Sequence, residues 1–428
     1  MKPSPGRIAS PSFLCLLILM ATIAVTGGEP IKVEFEAPTA DRWMYAYNAT
    51  PGERPAAPVF TTFTESEDSD ARVAQFLMGW ETSSRITPGR PPSRYWIRSA
   101  RLTLTTLRDR SFVYDPTADA FETALPAADP RAVPDADSGR PVELYGAGFR
   151  GGFTADTFRE NSPFGSTVPG GRNAFAAGFN NARELVDVSN NVGKSREPLL
   201  PFPSPPFAIG AIPSVAPGEA VPAGTPVIFD LELGNPDVRG YLQEALSAGR
   251  LWFVASWLGR SAGQTGGFTY PDFATKENLL DPGPRLELDV VEIGDEDVDG
   301  DGLPDDWERL FLGGLGSSAG DDSDGDGMSN AAEWALGSNP GDGTSRVAIV
   351  ALQRNPGGTV TLDLLDSGAG TLVIETSADF RTWTPVDGRF EFPKAAAGRW
   401  TSQAALDTET NFFRCRRGTT NPGKTGGI

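Results

Sequence analysis

Ile31-Lys-Val-Glu-Phe-Glu36 is the stretch that decides the fold. Ile31, Val33 and Phe35 alternate with Lys32, Glu34 and Glu36, so an extended chain puts every apolar side chain on one face and every charge on the other. Working outward, similar strand signals occupy residues 72–80, 95–107, 226–233, 251–258 and 285–293, with Gly and Pro between them. One segment breaks the pattern. Asn235 is a good N-cap, Pro236 suits the first helical position and Gly249 suits the residue past the end, which predicts a helix over 236–248. Strands punctuated by turns predict a mainly β protein whose N-terminal part, 29–294, is a jelly-roll-like β-sandwich. Residues 115–224 show little periodicity, yet they contain Phe149, Phe153, Phe158, Phe164, Phe175 and Phe179. Disordered segments are poor in aromatics, so 144–181 is expected to be an ordered loop layer over the sandwich.

Further along, strand signals at 346–353, 359–365, 371–376, 382–386, 399–403 and 411–416 predict a small C-terminal β-sandwich over 344–417. A polar, Gly-rich stretch, 418–428, reads as a flexible tail. Between the two β-parts, residues 295–343 have another character. Asp297-Val-Asp-Gly-Asp-Gly-Leu-Pro-Asp-Asp-Trp-Glu308 and Asp322-Ser-Asp-Gly-Asp-Gly-Met-Ser-Asn-Ala-Ala-Glu333 carry oxygen side chains at positions 1, 3, 5, 9 and 12. That is the spacing of an EF-hand calcium loop. The expected ligands are Asp297, Asp299, Asp301, Asp305 and Glu308 in the first loop, and Asp322, Asp324, Asp326, Asn330 and Glu333 in the second. Leu303 and Met328 at position 7 would contribute backbone carbonyls, and Gly302 and Gly327 stand where the loop turns most sharply. The loops start 25 residues apart. Pro304 lacks the N–H that links paired EF-hand loops, so a four-helix pair is not expected. Short helices are expected instead, at 308–312 and 333–336.

The lines "DVDGDGLPDDWE" and "DSDGDGMSNAAEWALGSNP" resemble calcium-binding repeats of the thrombospondin type-3 kind, in the bacterial version that lacks cysteines. Dockerins share such loops, but they pair two longer helices that this stretch does not contain. The C-terminal lines "LVIETSADFRTW" and "NFFRCRR" resemble small β-modules that end many secreted bacterial proteins. The N-terminal line "AQFLMGWETSSRITPGRPPSRYWIRSARLTLT" resembles β-sandwich carbohydrate-binding modules. That resemblance implies that Trp43, Tyr45, Tyr47 and Trp96 are candidates to stack on a sugar ring, with Arg42, Asn48 and Asp41 as polar contacts. Trp252 and Trp257 lie in a strongly apolar strand and are expected in the core.

Composition narrows the chemistry. The chain has no histidine, which removes the Ser-His-Asp and Cys-His arrangements and the commonest zinc and copper ligands. Net charge is −19, and residues 295–342 hold 14 acidic groups against Arg309, a local charge of −13. No basic patch invites nucleic acid or anionic lipid. Lys2 and Arg7 precede an apolar run of 13 residues, 13–25, too short to span a bilayer; 1–28 reads as an export signal. Cys15 falls inside it, leaving Cys415 as the lone cysteine of the exported chain and excluding an intramolecular disulfide. Cys415 is expected to be a buried small hydrophobe.

These readings converge on a secreted or periplasmic, non-catalytic calcium-binding protein with no membrane span. Its expected role is binding a polysaccharide or cell-surface glycan, or an extracellular structural or adhesive one, with Ca²⁺ stiffening an interdomain spacer. The alternative is a carboxylate-dependent glycoside hydrolase or polysaccharide lyase drawing on Asp41, Glu81, Asp156, Glu160 or Glu184.

Overall fold

The opening alternation forms a strand, Ile31–Phe35, paired antiparallel with Arg285–Glu292. It belongs to a computed structural model that describes residues 28–61, 73–124, 130–166, 171–188, 204–259, 269–392, 396–407 and 412–418. The expected export signal up to position 27, with Cys15, the first residue of the 72–80 strand and the tail beyond 418 lie outside the described residues.

Two large antiparallel sheets, with a two-stranded one pairing Ala56–Pro58 and Asp272–Ala274, build the described N-terminal part. The smaller has the order Ile31–Phe35, Arg285–Glu292, Tyr95–Thr105, Pro226–Asp230. The larger runs Ala40–Met44, Gln75–Glu81, Arg250–Trp257, Val142–Phe149, Ala174–Phe179, Leu185–Asp187, with Ala208–Ile209 also paired to Val142–Phe149. Leu102, Leu104, Phe229 and Leu288 of the first sheet share one core with Phe76, Met78, Leu144 and Phe253 of the second. Helix α1, Pro236–Ala248, adds Val238, Leu242 and Leu246 to that core. Its capping matches the sequence: Asn235 Oδ1 accepts the Asp237 N–H at 3.0 Å, and Gly249 ends it with φ 76°.

The larger sheet is buried on both faces. Leu77, Tyr145, Phe149, Trp252 and Val254 point away from the main core into a second one, which Phe153, Phe158 and Phe164 cover. Phe158 lies 5.3 Å from Phe149 and 6.1 Å from Trp252, ring to ring. The loop layer expected over 144–181 is therefore only its middle, residues 150–166. Val142–Phe149 and Ala174–Phe179 are strands of the sheet itself. Strands apolar on both faces do not alternate, so their period is invisible in sequence.

In the C-terminal part, a sheet ordered Val347–Arg354, Val360–Asp366, Ala397–Ser402, Gly388–Glu391 faces another ordered Thr384–Pro385, Leu372–Ser377, Phe412–Arg417. Leu362, Leu364, Ile374 and Trp400 fill the space between. Cys415 packs against this core, and burial pushes its thiol up to about 12, so it stays an inert apolar group.

The two β-parts touch directly. Asp366 is 0% exposed and pairs with Arg183 at 2.7 Å and with both terminal nitrogens of Arg417. Arg183 lies on the turn between Ala174–Phe179 and Leu185–Asp187 with φ 61°, a left-handed backbone that costs roughly 1–2 kcal/mol for a residue with a Cβ. Its guanidinium also reaches Asp237 on α1 at 3.3 Å and covers the Phe392 ring at 4.2 Å. Arg417 Nε donates to the Leu336 carbonyl at 2.8 Å. The acidic segment is thus not a free spacer, because one carboxylate bolts the parts on either side of it together.

Asp366→Ala leaves two largely buried guanidinium groups without their counter-charge and should cost about 3–5 kcal/mol. Asp230→Ala, which opens the exposed Arg101 pair, should cost about 1 kcal/mol or less. Urea unfolding of the two variants measures the contrast.

Candidate metal centre

Both acidic loops fold to one geometry. Gly300 and Gly325 have φ 74° and 79°, and Gly302 and Gly327 have φ 96° and 95°. These left-handed turns wind each loop around its first aspartate. Asp297 accepts the Gly300 and Gly302 N–H groups at 2.8 and 3.0 Å; Asp322 accepts those of Gly325 and Gly327, both at 2.9 Å. Asp301 and Asp326 likewise accept the N–H of position 7, from Leu303 at 2.9 Å and Met328 at 2.7 Å. The turns aim the remaining oxygens inward.

Helix α2, Asp305–Phe311, and helix α3, Asn330–Leu336, begin inside the loops, three residues earlier than expected. Acidic first turns favour this early start: Asp305, Asp306 and Glu308 face the positive end of α2, and Ser329 Oγ caps α3 by accepting the Ala332 N–H at 3.3 Å. The ninth residue of each loop donates its N–H backward across its own loop, Asp305 to the Glu296 carbonyl and Asn330 to the Asp321 carbonyl, each at 2.8 Å. Each loop therefore closes on itself. Ala319 joins them, its N–H donating to Asp301 at 2.5 Å and its carbonyl accepting the Ala331 N–H at 2.9 Å.

Carboxylate oxygens of Asp297, Asp299 and Asp305 lie within 4.8 Å of one another, as do those of Asp299, Asp301 and Glu308, and those of Asp322, Asp324 and Asp326. Glu308, Asn330 and Glu333 are fully buried. Among the described residues, several of these oxygens have no hydrogen-bond partner: both of Glu308, Oε2 of Glu333, Oδ2 of Asp324 and Asp326, and Oδ1 of Asn330. A buried carboxylate without a donor costs several kcal/mol, so the donor set fits a hard, oxygen-seeking cation. Asp305 differs from its counterpart Asn330. Its oxygens take the Val298 N–H at 2.8 Å and Arg309 at 2.7 Å, so the first loop uses position 9 partly for structure. Burial, with the charges of Asp299 and Asp301, pushes Glu308 up to about 7; burial, with Asp324, does the same to Glu333.

Beneath the loops lies a core that sequence reading missed. Leu303 and Trp307 pack with Ile293, and Trp96, Phe311 and Trp334 close over them. Trp307 and Trp334 are 5.7 Å apart, while Trp96 meets Phe311 at 4.6 Å edge-on. Met328 instead packs against the C-terminal core, its sulfur accepting the Val347 N–H at 3.3 Å. The adjacent Trp-Glu pairs, Trp307-Glu308 and Trp334 after Glu333, were the available signal.

The candidate glycan aromatics are scattered. Trp43 is buried, stacked on Tyr45 at 4.4 Å and bonded through Nε1 to the Pro58 carbonyl at 2.8 Å, so it offers no open face. Tyr45 is half-buried, Tyr47 is 64% exposed, and Trp96 is half-buried over α2. Arg42 is buried and Asn48 half-buried. Trp252 and Trp257 lie in the core, as expected. Of the carboxylates considered for hydrolysis, Glu81 and Glu160 line one cleft of about 520 Å³. Arg250 pairs with Glu81 at 3.5 Å and Asp156 at 3.2 Å, and Lys276 bonds Glu160. Burial pushes the Asp41 carboxyl up to about 8 against the opposing pull of Lys276, while Glu184 accepts from Asn180 at 2.9 Å.

Residues 322–343 match the family model described as the bacterial TSP3 repeat. Repeats of this kind are typically calcium-binding and suggest an extracellular protein. No curated protein and no solved structure matches the chain. Among the described residues, no helix is long and apolar enough to cross a membrane.

Because Glu308 and Glu333 hold protons up to about pH 7, a cation entering below that pH must displace them. Calorimetry in buffers of different ionisation enthalpy should show proton release on calcium binding near pH 6 that fades above about pH 8. Calcium affinity should rise over the same interval.

Proposed function

We propose that this chain is an extracellular calcium-binding protein, of the structural or adhesive kind, in which two Ca²⁺ ions complete the joint between its β-parts. The observation that carries this is the set of buried, partnerless oxygens at Glu308, Glu333, Asp324, Asp326 and Asn330. Asp297, Asp299, Asp301, Glu308 and the Leu303 carbonyl would hold the first ion, with Asp305 shared with Arg309. Asp322, Asp324, Asp326, Asn330, Glu333 and the Met328 carbonyl would hold the second. The ion supplies positive charge; the chain supplies its placement.

Location supports a structural role. The first loop rests on Ile293 and Trp96 of the N-terminal part, and the second on the C-terminal core through Met328. Calcium held at a hundred times its dissociation constant would stabilise each loop by about 2.7 kcal/mol. Extracellular sites work at affinities of about 10⁻⁴–10⁻³ M, because the ion is abundant there.

Glu308→Gln and Glu333→Gln remove the closing charge from one loop each. Calorimetric titration should fall from two ions in the parent to one in either variant, with the fold retained at neutral pH. Two ions still bound by the double variant would overturn the assignment. Adding a chelator to the parent should lower the thermal midpoint, and should do so less in either single variant.

A further inference from the structure

A cavity of about 380 Å³ opens where α1, α2, α3 and the C-terminal part meet, a size within the range of small-molecule sites. We propose that it binds a neutral sugar ring, as a terminal residue or short segment of a glycan, and that calcium governs this binding. The proposal rests on the calcium reading of the two loops and goes beyond it by naming a ligand class for a different place.

The walls select the ligand. Trp96, Phe311 and Trp334 are half-buried and line the cavity, with the Arg94 guanidinium over the Trp334 ring at 4.8 Å. Aromatic faces suit the C–H face of a sugar. Arg239 and Arg417 line it as well: Arg239 donates to the Leu233 and Ser367 carbonyls, and Arg417 to Asp366 and the Leu336 and Gly370 carbonyls. Glu244, exposed on the wall from α1, has no hydrogen bond or ion pair among the described residues. It is a strong, solvent-facing acceptor. An anionic ligand would meet Glu244 and the −13 charge of the acidic segment. A cationic ligand would meet Arg239, which bonds only carbonyls and has no carboxylate bonded to it among the described residues. A neutral polyhydroxyl ring meets neither penalty and brings hydroxyl donors for Glu244.

Calcium enters through the helices. Phe311 and Trp334 ride on α2 and α3, whose Glu308 and Glu333 close the loops, so ordering the loops orders two of the three aromatic walls. The coupling is reciprocal: a bound sugar raises calcium affinity by the factor by which calcium raises sugar affinity.

The test is calorimetry of the full exported chain against glucose, galactose, mannose, xylose, N-acetylglucosamine and their β-linked disaccharides. Glucuronate and glucosamine serve as charged controls, each titrated with calcium and with chelator. At least one neutral sugar should bind in calcium, at least about tenfold more weakly in chelator. Glu244→Gln should weaken it by about tenfold or more, the effect of losing one charge-assisted hydrogen bond, without altering the calcium titration. Trp96→Phe should weaken it while keeping the contact with Phe311. Two bound calcium ions with no neutral sugar bound would overturn this proposal and leave the calcium reading standing. Equal binding with and without calcium, no response to Glu244→Gln, or tighter binding of a charged control would also overturn it. Absence of calcium binding would overturn both.

Discussion

A carboxylate taken out of water needs a positive partner, and this chain meets that requirement in two ways. Asp366 finds its partners in the chain itself, in Arg183 and Arg417. Glu308 and Glu333 are equally buried and have no cationic side chain bonded to them among the described residues. The first arrangement is permanent; on the proposed reading the second would make the joint conditional on an ion from outside. Both lie at the same junction, since Arg417 also bonds the end of α3. The position of each β-part follows from how these charges are balanced.

The position-7 residues show how a loop motif becomes an architectural one. Their carbonyls are the proposed ligands, while their side chains go elsewhere: Leu303 to the core shared with Ile293, Met328 to that of the C-terminal sandwich. Each loop is thereby seated on a different neighbour, and Trp307 and Trp334 join the two seats. Two rings of the small core between them, Trp307 and Trp334, directly adjoin the closing glutamates Glu308 and Glu333 in the chain. Ordering oxygens and packing rings are the same local event.

What could be read from sequence was what is encoded within a dozen residues. The two loops, the capped helix Pro236–Ala248 and the strands with one wet face fall in this class, because charge spacing, caps and alternation are local signals. The larger sheet was only partly legible, since Val142–Phe149 and Ala174–Phe179 are buried throughout and carry no alternation. Pairings such as Arg183 with Asp366, distant in the chain, leave no mark on either residue's surroundings in sequence. Trp43 and Trp96 look alike as letters in strand-like text. One sits under Tyr45 and the other over Phe311, and only the pairing of strands decides which faces a cavity.

Ala319 carries no chemistry of its own, yet its peptide group is held by both loops, by Asp301 on one side and Ala331 on the other. Whatever fixes the first loop therefore removes freedom from the second before an ion reaches it. On the proposed calcium reading, two sites joined in this way would fill and empty together, so the joint's response to dilution of calcium would be closer to a latch than to a dial.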